Sequence, residues 1–401
     1  MKELLSFSLF AFGMFPVCAM LVQNQTIAQN NPAGQYDESK VPQYTLPDPL
    51  ILLNGEKVTD TATWNGKRRP EILKMFETDV YGKASVNRPE HIHWEITAED
   101  HNALNGLAHM KKVTIYFSDK KDGPKLEVEI ILPKVEKPVP VFLVSTWGPD
   151  AELVINKGFG LVTFDAREIE PDNKDSAYAN GIRKFFDPPN RKEPTPDEWG
   201  TIAAWSWAAR RVMDYIETDT NIDARKVCIL GFSRFGKAAM WAGAQDRRFA
   251  IVFSCESGCG GATIVRRGFG ETVKLINDQF PHWFDGNFKS FNSRVNDLPL
   301  DWHMLIALMA PRPVYVSTAE EDLWGDPRGT FLAAKAAEPV YELFGESGLG
   351  VTEMPPVETP VGNFIGYHMR KGKHGLIDYD TEKFIDFARR HFSTIGVHDI
   401  R

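Results

Sequence analysis

Residues 226–244 read KVCILGFSRFGKAAMWAGA. The stretch begins with an apolar run, turns at GFSRFGK, and continues into an alanine-rich segment whose small side chains let a helix lie close on a sheet. That is a strand–turn–helix unit, and the turn carries Ser233. It has two readings. In one, it is a G-x-S-x-G elbow, which holds a serine in a strained, exposed turn and needs small residues on either side. Gly231 supplies the first small residue, Phe235 takes the place of the second, and Gly236 stands one position further on. In the other, it is an ordinary β–α loop with Ser233 as helix N-cap.

Upstream, PVPVFLVST and FGLVTFDA are short unbroken apolar runs, the pattern of strands covered on both faces. EWGTIAAWSWAARRVMDYIET follows, with Ile202, Trp205, Ala209, Val212, Met213 and Ile216 at helical spacing. Downstream, RFAIVFSCE, RPVYVSTAEED and IGYHMRKGKH read as further strands, with a helix over TFLAAKAAEPVYELFGESG. DTEKFIDFARRHF closes the chain as an amphipathic helix. From residue 139 onward strands and helices alternate, which predicts right-handed crossovers and a three-layer α/β/α sandwich around a mostly parallel sheet. Before 139, HIHWEITAE, HMKKVTIYFS and KLEVEIILP alternate polar and apolar and extend one sheet edge, after a helix over about 61–82. No linker divides residues 46–401, which are expected to form one catalytic domain.

The chain has 401 residues, 43% hydrophobic and 25% charged, an ordinary globular composition without internal repeats. Its net charge of −8 comes without a basic block, which argues against a nucleic-acid partner. MKELLSFSLFAFGMFPVCAMLV reads as a signal peptide, with cleavage after Ala19 or Ala28 and the later site preferred. The expected location is secreted or periplasmic, with a retained N-terminal anchor as the alternative. Residues 29–45 form a polar leader, expected to be mobile. Cys228, Cys255 and Cys259 remain after signal removal; Cys255 and Cys259 either pair or stay buried thiols. No cysteine–histidine spacing suits zinc. His91 and His93 read as one exposed strand face.

A serine nucleophile needs a base and an acid that orients it. Of the ten histidines, His374 lies in a Gly-flanked loop, RKGKHGL, between the last strand and last helix. It is either the base or a surface loop residue. His368 and His391 read as structural, and His303 in DWHMLIAL as a residue that caps or lines a helix. Two strand ends offer an acid: Glu256 opens the Gly-rich turn E-S-G-C-G-G, and Asp322 follows PVYVSTAEE. Either could instead cap a helix or be solvated. The backbone N–H of Arg234 is one oxyanion donor, and its guanidinium is a candidate either for a second donor or for binding a substrate anion. The usual second donor follows the strand PVFLVS, where TWGPD lacks a glycine run.

Seven blocks carry a resemblance that extends beyond the fold. They are GFSRFGKAA, ESGCGGA, RRGFGETV, FPHWF, MLIALMAPRPVYV, EEDLWGDPRG and GKHG, preceded by the leader YDESKVPQYTLPDPL. Together, over residues 36–392, they resemble the bacterial glucuronoyl esterases of carbohydrate esterase family 15, within the α/β-hydrolase fold. The family pattern is G-x-S-R-x-G-K, in which Phe235 is a variable position. The resemblance implies cleavage of esters between 4-O-methyl-glucuronate of xylan and lignin alcohols. It implies Ser233 as nucleophile, His374 as base, Glu256 as acid with Asp322 as alternative or auxiliary acid, and Arg234 at the oxyanion. Lys237, Glu271 and Trp324 would bind the uronate sugar; read from composition alone, Lys237 is a helix-surface lysine and Trp324 a core aromatic. No cofactor or metal is implied, and the protein is expected to be a monomer. Glu256→Ala is expected to cost more activity than Asp322→Ala. STWGPDAEL and FDAREIEPD depart from the family pattern, which leaves one oxyanion contact and the pocket wall open.

Overall fold

The computed structural model describes residues 31–120 and 122–394. The proposed signal peptide lies outside the described residues. Nine strands form one sheet: β1 (His93–Ala103), β2 (Ala108–Tyr116), β3 (Lys125–Pro133), β4 (Val139–Ser145), β5 (Gly160–Phe164), β6 (Ile222–Phe232), β7 (Ile251–Cys255), β8 (Val314–Ala319) and β9 (Ile365–Arg370). The spatial order is β1-β2-β3-β5-β4-β6-β7-β8-β9. Pairs from β1 through β3 to β5 are antiparallel, and pairs from β5 through β4 and β6 to β9 are parallel. The parallel α/β sheet and its antiparallel edge are as the alternation patterns predict. The strand order reverses between β4 and β6, so the connections leaving their C-terminal ends run to opposite sides, the arrangement that leaves a crevice between them. Ligands of open α/β sheets bind at such a switch point.

The β6 turn sits at this crevice. Ser233 has φ 56°, and a Cβ on Gly231 would lie 2.0 Å from the Phe235 carbonyl oxygen. Glycine is therefore obligatory two residues before the serine. On the far side, a Cβ on Gly236 would lie 2.9 Å from the Ser257 Cβ, so the second close approach falls one residue later than in G-x-S-x-G. Phe235 points inward, is fully buried, and packs 4.8 Å from Trp205 and 5.1 Å from Trp147. Burying such a ring stabilises the fold by about 2–3 kcal/mol.

Four expectations change. The helix Thr201–Ile216 is buried on every side rather than along one stripe. Its charged residues are paired: Arg211 and Arg248 each lie 2.8 Å from Asp214, and Arg210 donates to Gln245 at 2.9 Å. The segment around 61–82 is helical but passes through a π-turn at Trp64–Arg68, directly before Arg69–Asp79. Pro70, with no N–H to donate, stands at the start of that second piece. The leader is tied down from residue 35, where the Gln35 carbonyl accepts from Gly270 N–H at 2.8 Å and Glu38 pairs with Arg267 at 2.6 Å. His91 precedes β1 rather than sharing its face with His93, although both are exposed. Cys228, Cys255 and Cys259 are buried free thiols, which decides between the two cysteine readings.

Candidate active site

Four sheet ends converge on Ser233. β6 delivers the serine itself, the turn after β7 delivers Glu256, the turn after β8 delivers Asp322, and the loop after β9 delivers His374. Backbone bonds hold these ends together: Ser233 N–H donates to Cys255 O and Glu256 N–H to Ser317 O, both at 2.8 Å.

His374 Nε2 is 3.0 Å from Ser233 Oγ, and Nδ1 is 2.8 Å from Asp322 Oδ2. Nδ1 also lies 3.1 Å from Glu256 Oε2. With two carboxylates facing Nδ1, the neutral ring carries its proton there and turns the Nε2 lone pair to the serine. Ser233 makes no side-chain cap bond to the helix Arg234–Gln245, so the N-cap reading fails. His374 is largely buried, with the Phe232 ring 4.7 Å away, so it is no surface histidine. Both acids are buried, and Asp322 makes no cap bond.

The two acids differ in their other partners. Glu256 Oε1 accepts from Arg370 at 2.6 Å, and its Oε2 accepts from Gly375 N–H at 2.8 Å. Arg370 also donates to the carbonyls of Lys371 and Lys373 at 2.8 Å, to Gly375 O, and to Asp380 at 2.9 Å. The loop that carries His374 is thus wrapped around one guanidinium. Asp322 Oδ1 is buried without a hydrogen-bond partner, and among the described residues no cation other than His374 is bonded to that carboxylate. Burial opposes a charge on His374, but the fields of Asp322 and Glu256 outweigh it and lift its pKa to about 10. Burial raises Glu256 to about 7, with His374 and Arg370 opposing and Asp322 reinforcing.

Arg234 opens its helix, so its N–H has no intrahelical acceptor. In the loop after β4 the first two backbone donors are taken. Thr146 N–H donates to Phe164 O at 2.7 Å, and Trp147 N–H to Ser145 O at 2.9 Å. Both are engaged within the fold. The Arg234 guanidinium lies 4.9 Å from the Trp283 ring and 5.5 Å from Phe280, its Nη1 pairs with Asp172, and its Nε is buried without a partner.

Lys237 is neither on a helix surface nor free. Its Nζ donates to Ser257 O and Cys259 O, both at 2.6 Å, and stands 3.5 Å from Glu271. Glu271 N–H donates to Trp324 O at 2.9 Å, which brings those three residues to one wall. Trp324 is half-buried rather than core. A groove of about 510 Å3 lined by Leu46, Pro47, Leu50, Val58, His303 and Pro339 holds none of these residues. The sequence reading missed Arg370 and Asp172. A charged residue at the end of a buried strand, just before KGKHG, was the available signal for the first; Asp172 lay in the divergent FDAREIEPD loop.

A family model described as "Glucuronyl esterase, fungi" matches residues 115–345. A carbohydrate esterase of an unknown prokaryotic organism is 41% identical, over 89% of this chain and 92% of that one. A glucuronoyl esterase structure from Solibacter usitatus is 44% identical with a TM-score of 0.84, covering 88% of this chain and 99% of that chain. A promiscuous family 15 esterase from a marine bacterial metagenome is 40% identical with a TM-score of 0.83, over 89% of this chain and 100% of that chain. With a family model matching more than half of the chain, and relatives at least 40% identical over nearly their whole length, the chain belongs to the glucuronoyl esterases, carbohydrate esterase family 15.

Proposed function

We propose that this protein hydrolyses the ester between 4-O-methyl-glucuronic acid of glucuronoxylan and a lignin alcohol. The observation that carries the reading is the Ser233–His374–carboxylate chain, set among the seven family blocks. His374 Nε2 takes the Ser233 proton as Oγ attacks the ester carbonyl. The tetrahedral oxyanion rests on the Arg234 N–H and the Arg234 side chain, a role supported by the engagement of the Thr146 and Trp147 donors elsewhere. His374 returns the proton to the departing alcohol. A water molecule then repeats the sequence on the glucuronoyl-serine.

Lys237, Glu271 and Trp324 read the sugar. The esterified carboxyl has no charge to recognise, so ring hydroxyls and an apolar face must be recognised instead. Lys237 compensates Glu271, which leaves the carboxylate as the acceptor for a hydroxyl. The protein acts as a secreted or periplasmic monomer, consistent with its N-terminal pattern; among the described residues no helix is long and apolar enough to cross a membrane.

A second reading, a broader carbohydrate or aryl esterase, is favoured by the similarity to a promiscuous family member. The test compares a benzyl glucuronate ester, acetylated xylan and the free uronic acid, with Ser233→Ala as control. Turnover of the uronate ester, lost in the variant, is expected. Release of acetate without uronate-ester turnover would favour the second reading, and binding unchanged by Ser233→Ala without any hydrolysis would reduce the protein to a binding module.

A further inference from the structure

The loop between β5 and the helix Ile182–Phe186 places Asp172 behind Arg234. One Asp172 oxygen pairs with Arg234 Nη1. The other lies 2.7 Å from Trp283 Nε1, which donates to it, and 3.1 Å from His282 Nε2. The Trp283 ring therefore stacks on the arginine while its N–H holds the arginine's counter-ion. Trp283 and His282 are themselves anchored, since their carbonyls accept from Ile202 and Thr201 at the start of the long buried helix. Burial opposes a charge on Asp172, but His282, Arg234 and Trp283 hold its carboxyl down at about 2, so it is ionised at any working pH.

We propose that Asp172 is a positioning residue with two effects on the proposed esterase reaction: it fixes the Arg234 guanidinium by its outer nitrogen, leaving Nε–H for the oxyanion, and it cancels the arginine's charge so that the ionised product is not retained. The inference rests on the oxyanion role proposed for Arg234. Its chemistry follows from the change in charge over the reaction. The ester is neutral, whereas the released uronic acid is a carboxylate at the same place. An uncompensated arginine beside Ser233 would hold that carboxylate tightly. Lys237, the other nearby cation, is already matched by Glu271 at 3.5 Å. Removing the Asp172 charge thus adds one unmatched positive charge next to the acyl position.

Asp172→Asn keeps the shape and an acceptor for Trp283. Expected are a kcat on benzyl glucuronate ester lower by about tenfold or more, and an inhibition constant for free glucuronate lower by about tenfold, that is, tighter product binding. Simple structural damage would weaken both. In an Arg234→Ala background, Asp172→Asn should change neither quantity further. Asp172→Ser, which removes the same charge with a smaller side chain, provides a second variant if the first does not fold, with the same two directions. Unchanged or weaker glucuronate inhibition in Asp172→Asn overturns the proposal. Parent-like kcat in Arg234→Ala sinks the oxyanion reading beneath it. A strong Arg234→Ala defect with a silent Asp172→Asn removes only the positioning role.

Discussion

Two carboxylates face one imidazole nitrogen, and a double-mutant cycle separates their contributions. Asp322→Ala deletes the 2.8 Å partner of His374 Nδ1 but leaves Glu256 Oε2 at 3.1 Å to hold the same tautomer. Loss of a charge-assisted bond with a substitute at hand should cost about 1.4 kcal/mol, or tenfold in kcat/KM. Glu256→Ala deletes more. It removes an acceptor for Nδ1, the anchor of Gly375 N–H, and one counter-ion of buried Arg370. Asp380 remains on Arg370, so the pair is damaged rather than orphaned. We expect a loss of about 10²-fold in kcat/KM, and of about 2 kcal/mol in stability, below the 3–5 kcal/mol typical of a fully broken buried pair. In the double variant no acid fixes the tautomer, and the loss should reach about 10⁴. The product of the singles is about 10³, so the cycle should give roughly 1.4 kcal/mol of coupling. Steady-state kinetics on benzyl glucuronate ester and thermal melts of the four proteins measure all of this. A double variant no worse than the product of the singles would refute mutual backup. An Asp322→Ala defect larger than that of Glu256→Ala would refute the loop clamp.

Three further outcomes are expected. Because Asp322 raises the His374 pKa and the base must be neutral to work, Asp322→Asn should lower that pKa and move the ascending limb of kcat/KM to lower pH; an unmoved limb would contradict the electrostatics. Gly231→Ala, whose Cβ would sit 2.0 Å from a backbone oxygen, should abolish activity and lower Tm markedly, and a soluble, active variant would show the turn is not so constrained. Phe235→Ala should destabilise the fold by about 3–5 kcal/mol in denaturant melts, through a cavity against Trp205 and Trp147, and a loss under 1 kcal/mol would mean the ring is not a core element.

The fold was largely legible in the chain, because its parallel strands contain apolar runs, its edge strands alternate with period two, and its helices carry 3.6-residue spacing. Both periods follow from local backbone geometry. The long helix Thr201–Ile216 was legible as a helix but not as buried on every side. Pairings such as Asp214 with Arg248 join residues 34 positions apart, and spacing within one helix cannot report them. The same division runs through the site. Ser233, His374 and the two acids were legible because each ends a strand in a β–α unit, in the order serine, acid, histidine. Sequence alone could not say whether Ser233 capped a helix or whether His374 faced solvent, since both depend on where β6 and β9 end in space.

Chain order and residue type therefore determined the strand–turn–helix units, the candidates for nucleophile, base and acid, and the family blocks. The tertiary structure decided what surrounds them: that both acids reach one nitrogen, that Arg370 gathers the histidine loop, and that Asp172 backs Arg234 from 62 residues away. These are contacts between charged groups brought together by sheet order. Their strength depends on burial and distance, which no local pattern of residues encodes.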